Sequence, residues 1–167
     1  MLLPDRRSVL AGLVGAVVPL SLAGCFRPML AENEPSSKIR GRVALPQIDG
    51  RFGYFLSRSL EDRLGETTSA DWVLSVRSNI RRQGFAVAQD NSVTRITLFA
   101  RVDWELRRRS TGAVVLSDQA DSQSGFNATS SLFATRQTEQ DIERRLARDI
   151  GERIARRIYA KAGELGG

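Results

Sequence analysis

The chain has no histidine and one cysteine, Cys25, in 167 residues. Without histidine it lacks the commonest general base, the commonest metal ligand and every Ser-His or Cys-His nucleophile arrangement. A lone thiol cannot close a disulfide within the chain. Nor does the sequence contain a GxGxxG, P-loop, HExxH, GxSxG or CxxC pattern, and its glycines do not cluster ahead of a helix to cradle a phosphate. Asp103 and Glu105 share one strand face, but Arg101 and Arg107 stand on that face too, so the carboxylates read as ion-paired surface residues. The expectation is a non-enzymatic protein that needs no cofactor and no metal.

What is present begins at the cysteine. Leu22-Ala23-Gly24-Cys25 closes an uncharged run from Ser8 to Leu22, which follows the basic pair Arg6-Arg7. A positive start, a short apolar stretch and small residues before a cysteine make up a bacterial lipoprotein signal peptide. The run holds Gly12, Gly15 and Pro19 and falls short of the ~20 residues that a spanning helix needs. Residues 1–24 are therefore expected to be removed and Cys25 to be acylated. Asp5-Arg6-Arg7-Ser8-Val9-Leu10 also resembles a twin-arginine signal, and the export route stays open. Residue 26 is Phe, where Asp would suggest retention at the inner membrane, so lipoprotein sorting favours the outer one.

Residues 25–167 suit one domain with one core. The chain carries 25 Lys and Arg against 19 Asp and Glu, a formal +6. Outside the cytoplasm such a balance points to anionic membrane components more than to nucleic acid. Residues 25–37, polar and without apolar period after Leu30, read as a lipidated N-terminus and tether; a domain over 38–167 follows.

Within that domain Lys38 to Pro46 alternates and predicts a first strand. Asp49 can cap a helix carrying Phe52, Phe55, Leu56, Leu60 and Leu64, with Gly65 as its stop. Three alternating segments come next. Trp72, Leu74, Val76 and Ile80 share a parity that switches around Gly84, where a bulge or turn is expected. Ile96, Leu98, Ala100, Val102, Trp104 and Leu106 form the clearest strand. Ser110-Thr111-Gly112 predicts a hairpin into Val114, Leu116 and Ala120, and the polar stretch from Asp118 to Ser124 reads as a strand leaving the core. A long helix is expected from about Ser131 to Ala162, with Ile142, Leu146, Ile150, Ile154 and Ile158 four apart. Its other face, with Glu139, Glu143, Glu152 and many arginines, reads as solvated. The order β-α-β-β-β-α makes an α+β two-layer sandwich: a four-stranded, mostly antiparallel sheet with two helices on one face.

Two arginine groups stand out, Arg107-Arg108-Arg109 before a turn and Arg81-Arg82 ahead of Gly84. Guanidinium groups bind phosphates through paired donors. Basic residues at strand ends also keep turns soluble and blunt edge pairing. Composition does not choose between the two.

Phe26-Arg27-Pro28 directly after the cysteine, this element order, and a closing helix introduced by Leu132-Phe133-Ala134-Thr135 together resemble the LptE family of outer-membrane lipoproteins. Gly ahead of Phe-Arg-Pro, usual in the family, is missing, and Met29 and Leu30 replace the usual Leu and Tyr. The resemblance implies a plug and folding partner for the large β-barrel LptD, with lipopolysaccharide as ligand. It implies Cys25 as the acylated residue and Phe26, Arg27 and Pro28 as the matched segment. Arg81, Arg82, Arg107, Arg108 and Arg109 are candidate contacts to lipopolysaccharide or barrel from their placement alone. The alternative is a lipid- or solute-binding auxiliary lipoprotein of an envelope ABC transporter.

Overall fold

Strict alternation over residues 95–107 becomes an inner strand of a four-stranded sheet in the computed structural model, which describes residues 35–87 and 93–165. The strands are β1 (Val43–Ala44), β2 (Trp72–Val87), β3 (Val93–Arg108) and β4 (Val114–Asn127), adjacent in that order. β2, β3 and β4 form the expected antiparallel meander, and β1 pairs with β2 in parallel. Sixteen residues at about 3.3 Å each make β2 and β3 about 50 Å long. Helix α1 is Gly50–Leu64, α2 is Leu132–Ala160, and a final turn, α3, is Ala162–Leu165.

Alternation sorts the sheet into two faces. Trp72 and Leu74, the even positions of β3 from Ile96 to Leu106, and Ala120 and Phe126 are buried in one cluster with both long helices. Among the described residues nothing covers the opposite face. The register of β2 against β3 shifts on either side of Ala86, which places the bulge anticipated from the parity switch near Gly84.

The helix interface follows from spacing. Every fourth residue of an α-helix drifts slowly around its axis and builds a ridge. On α2 the ridge Ile142, Leu146, Ile150, Ile154, Ile158 is buried, and so is its neighbour Glu143, Ala147, Gly151, Ala155, Tyr159. On α1 the matching ridge is Phe52, Leu56, Leu60, Leu64. The small residues of the second α2 ridge admit α1 closely. A Cβ placed on Gly151 would lie 2.5 Å from Ser59 Oγ.

Four expectations need correction. The first strand shrinks to Val43–Ala44, because Gly41 takes φ 74° and turns the chain; its N–H donates to the Leu64 carbonyl at 2.8 Å. Pro35–Lys38 instead forms a 3-10 turn, although Ile39 and Val43 are buried as the alternation required. Asp49 occupies the N-cap of α1, but its side chain accepts no capping hydrogen bond. β4 does not leave the core at Asp118. Ala120 and Phe126 remain buried beneath α2, and the Ser122 hydroxyl donates to the Asp149 carboxylate at 2.7 Å, so small polar residues suit the rim where helix meets strand.

The fourth correction concerns the charged flank of α2. Glu143 is only 9% exposed and takes both arms of the Arg51 guanidinium, at 2.7 and 2.8 Å. This two-point clamp raises the Arg51 pKa above its ordinary value, chiefly through the hydrogen bonds to Glu143. Glu152 meets Arg63 of α1 at 2.9 Å, and Arg157 meets Asp118 of β4 at 3.0 Å. A narrow apolar stripe puts its flanking charges at the edges of the interface, where they reach across it.

At the C-terminal end of α2 the Tyr159 hydroxyl donates to the Arg63 carbonyl at 2.6 Å. Burial pushes the phenol above its ordinary value of 10.0, against smaller pulls from Arg40. A raised acid favours the folded state while it stays protonated, so this stabilisation is whole below about pH 10 and is lost as pH rises through the folded value. Urea denaturation should show stability falling more steeply above pH 10 in wild type than in Tyr159→Phe. At pH 8 the variant should be weaker by about 1 kcal/mol, the net contribution of one such bond.

Candidate functional site

The uncovered face of the sheet carries the polar half of each alternation. Reading across β2, β3 and β4, its rows are Arg77, Asp103, Gln119; Asn79, Arg101, Asp121; and Arg81, Phe99, Gln123. Charges of opposite sign thus stand on directly opposed residues, which favours the pairing in water. Arg107 bonds Glu105 at 2.5 Å on this face and also donates to the Gly112 carbonyl at 3.3 Å. The face is polar, basic in balance and about 50 Å long.

Neither arginine group survives as a unit. Arg81 and Arg82 lie inside β2, opposite Phe99 and Leu98, not at a turn, because the strand continues past Gly84 through its bulge. Consecutive strand residues face opposite ways: Arg81 lies on the uncovered face, whereas Arg82 lies on the helix side and pairs with Glu139 at 3.6 Å. The triple arginine splits similarly. Arg107 is held on the uncovered face, Arg108 ends β3 with helix-side parity, and Arg109 begins the hairpin turn.

Arg108 and Arg109 meet a residue that spacing could not reveal. They line a cleft of about 480 Å³ together with Arg42, Ala70, Asp71, Trp72, Ser110 and Leu165. The Arg42 guanidinium lies 5.6 Å from the centre of the Trp72 ring and pairs with Asp71. Backbone bonds fix the walls: Asp71 N–H donates to the Arg42 carbonyl at 2.9 Å, and Arg109 N–H donates to the Asp71 carbonyl at 2.8 Å. Trp72 is buried, and its indole N–H has no acceptor among the described residues. Arg42 precedes β1, so only the parallel β1–β2 pairing brings it here.

At the opposite end of the sheet, Ser131 caps α2 by accepting from the Ala134 N–H at 3.3 Å. Leu132 and Phe133 are 74% and 80% exposed there. Cys25, Phe26, Arg27 and Pro28 lie outside the described residues.

The LptE profile, described as lipopolysaccharide-assembly, matches residues 38–158. The chain belongs to the LptE family. Its members are lipopolysaccharide-assembly lipoproteins of the cell envelope, and the β-α-β-β-β-α order is the one expected from the resemblance. Among solved structures, a lipoprotein of Caulobacter crescentus CB15 is 24% identical with TM-score 0.64, over 77% of this chain and 96% of that one. Rare lipoprotein B of Shewanella oneidensis is 11% identical, TM-score 0.58, over 75% and 98%. A minor lipoprotein of Acinetobacter baumannii is 18% identical, TM-score 0.55, over 72% and 90%. These likenesses establish a shared fold. No curated protein matches by sequence. No helix among the described residues is long and apolar enough to cross a membrane.

Proposed function

We propose that this LptE-family protein is an outer-membrane lipoprotein, held on the periplasmic side through acylated Cys25, that folds, stabilises and plugs an LptD-like β-barrel. The observation that carries this reading is the uncovered sheet face, dense in Arg, Asp, Gln and Ser. Helices bury the apolar half of the sheet, and the other half offers a hydrated wall. The lumen of an outer-membrane barrel is polar, so such a face enters it without desolvating an apolar surface. Its length of about 50 Å spans the height of a barrel's apolar band, about 25 Å, with residues to spare at both ends.

Lipopolysaccharide is the second partner in this proposal. Of the five candidate contacts, Arg82 and Arg107 already hold carboxylates, while the side chains of Arg81, Arg108 and Arg109 have no partner among the described residues. Those three are the guanidinium groups available for phosphates of lipid A or core sugars.

Affinity capture of the intact lipoprotein from outer membranes tests the barrel partnership. A large β-barrel should be recovered in near-equal amount. Recovery of the lipoprotein alone, from cells that make LptD, would overturn the proposal.

A further inference from the structure

We propose that the cleft formed by Arg42, Asp71, Trp72, Arg108, Arg109 and Leu165 binds the phosphate of a glycerophospholipid headgroup from the leaflet that holds the protein's own acyl anchor. The cleft is lined by three guanidinium groups and one carboxylate, and Asp71 neutralises only Arg42. Arg108 and Arg109 therefore bring two uncompensated positive charges, with forked donors suited to tetrahedral oxygens. Trp72 also lines the cleft, and its buried indole N–H has no acceptor among the described residues. Trp72 and Leu165, both largely buried, line the cleft beside the cations and give it an apolar margin.

Position selects the source of the phosphate. The 3-10 turn Pro35–Lys38, where the described chain begins, packs on α3, and Leu165 of α3 lines the cleft. Fully extended, the chain from Cys25 to Pro35 spans at most about 35 Å, so the cleft stays within reach of the membrane surface. The far end, with Phe133, is separated from it by the length of α2, about 43 Å for its 29 residues. The inference rests on the anchored reading of Cys25. It adds a second, headgroup contact that would set which end of the protein meets the leaflet.

The test uses the full lipoprotein purified from membranes in neutral detergent. Calorimetric titrations are run with inorganic phosphate, with short-chain phosphatidylglycerol and with lipopolysaccharide. Phosphate and phosphatidylglycerol should bind saturably, and Arg108→Gln with Arg109→Gln should weaken both by about tenfold or more, as expected for lost charge-assisted bonds. Arg107→Gln, on the uncovered face, should change affinity less than twofold. Absence of saturable binding, an unaffected double variant, or binding confined to inorganic phosphate or lipopolysaccharide would each overturn the proposal. Circular dichroism of the arginine variants checks folding. Intact mass of the same preparation reports the acyl chains and barrel capture reports the partner, so failure of either reading is distinguished from failure of the cleft.

Discussion

Gly151→Leu should lower the unfolding free energy by about 3 kcal/mol, the upper end of what overpacking a tight interface costs. A Cβ at this position would sit 2.5 Å from Ser59 Oγ and 2.9 Å from Ser59 Cβ, distances that real side chains do not tolerate. The leucine can therefore fit only if α1 moves away from α2. That displacement also strains the Arg51–Glu143 clamp and the Ser59 hydroxyl, which donates to the Arg148 carbonyl at 3.3 Å. Chemical denaturation followed by circular dichroism measures the loss. A smaller substitution separates packing from helix propensity. In a free helix Gly→Ala gains about 1 kcal/mol, so a stabilised Gly151→Ala protein would show that the close approach does not exist. Destabilisation that Ser59→Gly partly restores is the expected pattern, since removing the opposing side chain reopens the space.

Cys25→Ser should abolish membrane retention of the exported protein. An acyl chain contributes about 0.8 kcal/mol for each CH₂ buried in the bilayer, and one chain alone binds only marginally. Two or more chains hold a protein stably, and the serine variant has none. After cell fractionation the wild type should sediment with outer membranes and lose most of its barrel-free pool to them. The variant should stay in the soluble periplasmic fraction or remain as uncleaved precursor, and the yield of folded barrel should fall with it. Mass spectrometry of the wild-type N-terminal peptide should show acylated Cys25. An unmodified thiol on a protein that still sediments with membranes would rule out this anchor.

Much of the fold was legible because its elements are long and regular. Thirteen consecutive alternating positions from Arg95 to Arg107 allow one face of β3 to be apolar and the other polar, and no helix satisfies that pattern. The ridge from Ile142 to Ile158 was equally direct. Short elements were not legible. Alternation over Lys38 to Pro46 looks like a strand, but a single left-handed turn at Gly41 breaks it, leaving β1 with two residues. The turn is stabilised by backbone groups of Leu64, the last residue of α1, and of Thr68 and Ser69 in the loop that follows it. Nothing local to residues 38–46 announces them.

The candidate site was legible by residue type and not by arrangement. Arginines were singled out as the groups whose forked donors suit phosphate. Their contiguity was misleading, since a strand sends neighbours to opposite faces: Arg81 and Arg82 part, and Arg107 and Arg108 part. Glu143 looked like one solvated charge among many on α2, yet its ridge position brings it to Arg51.

By itself the sequence determined the α+β class, the apolar ridges and the lack of any histidine among its 167 residues. These depend on residue identity and on periods of two and near four, which are local properties. The tertiary structure alone decided that β1 runs parallel to β2, that Arg42 joins Arg108 and Arg109 beside Trp72, and that no helix among the described residues covers the polar half of the sheet. Each requires chain segments far apart in sequence to meet, and the free energy selecting those meetings comes from burying the shared core, not from any local pattern.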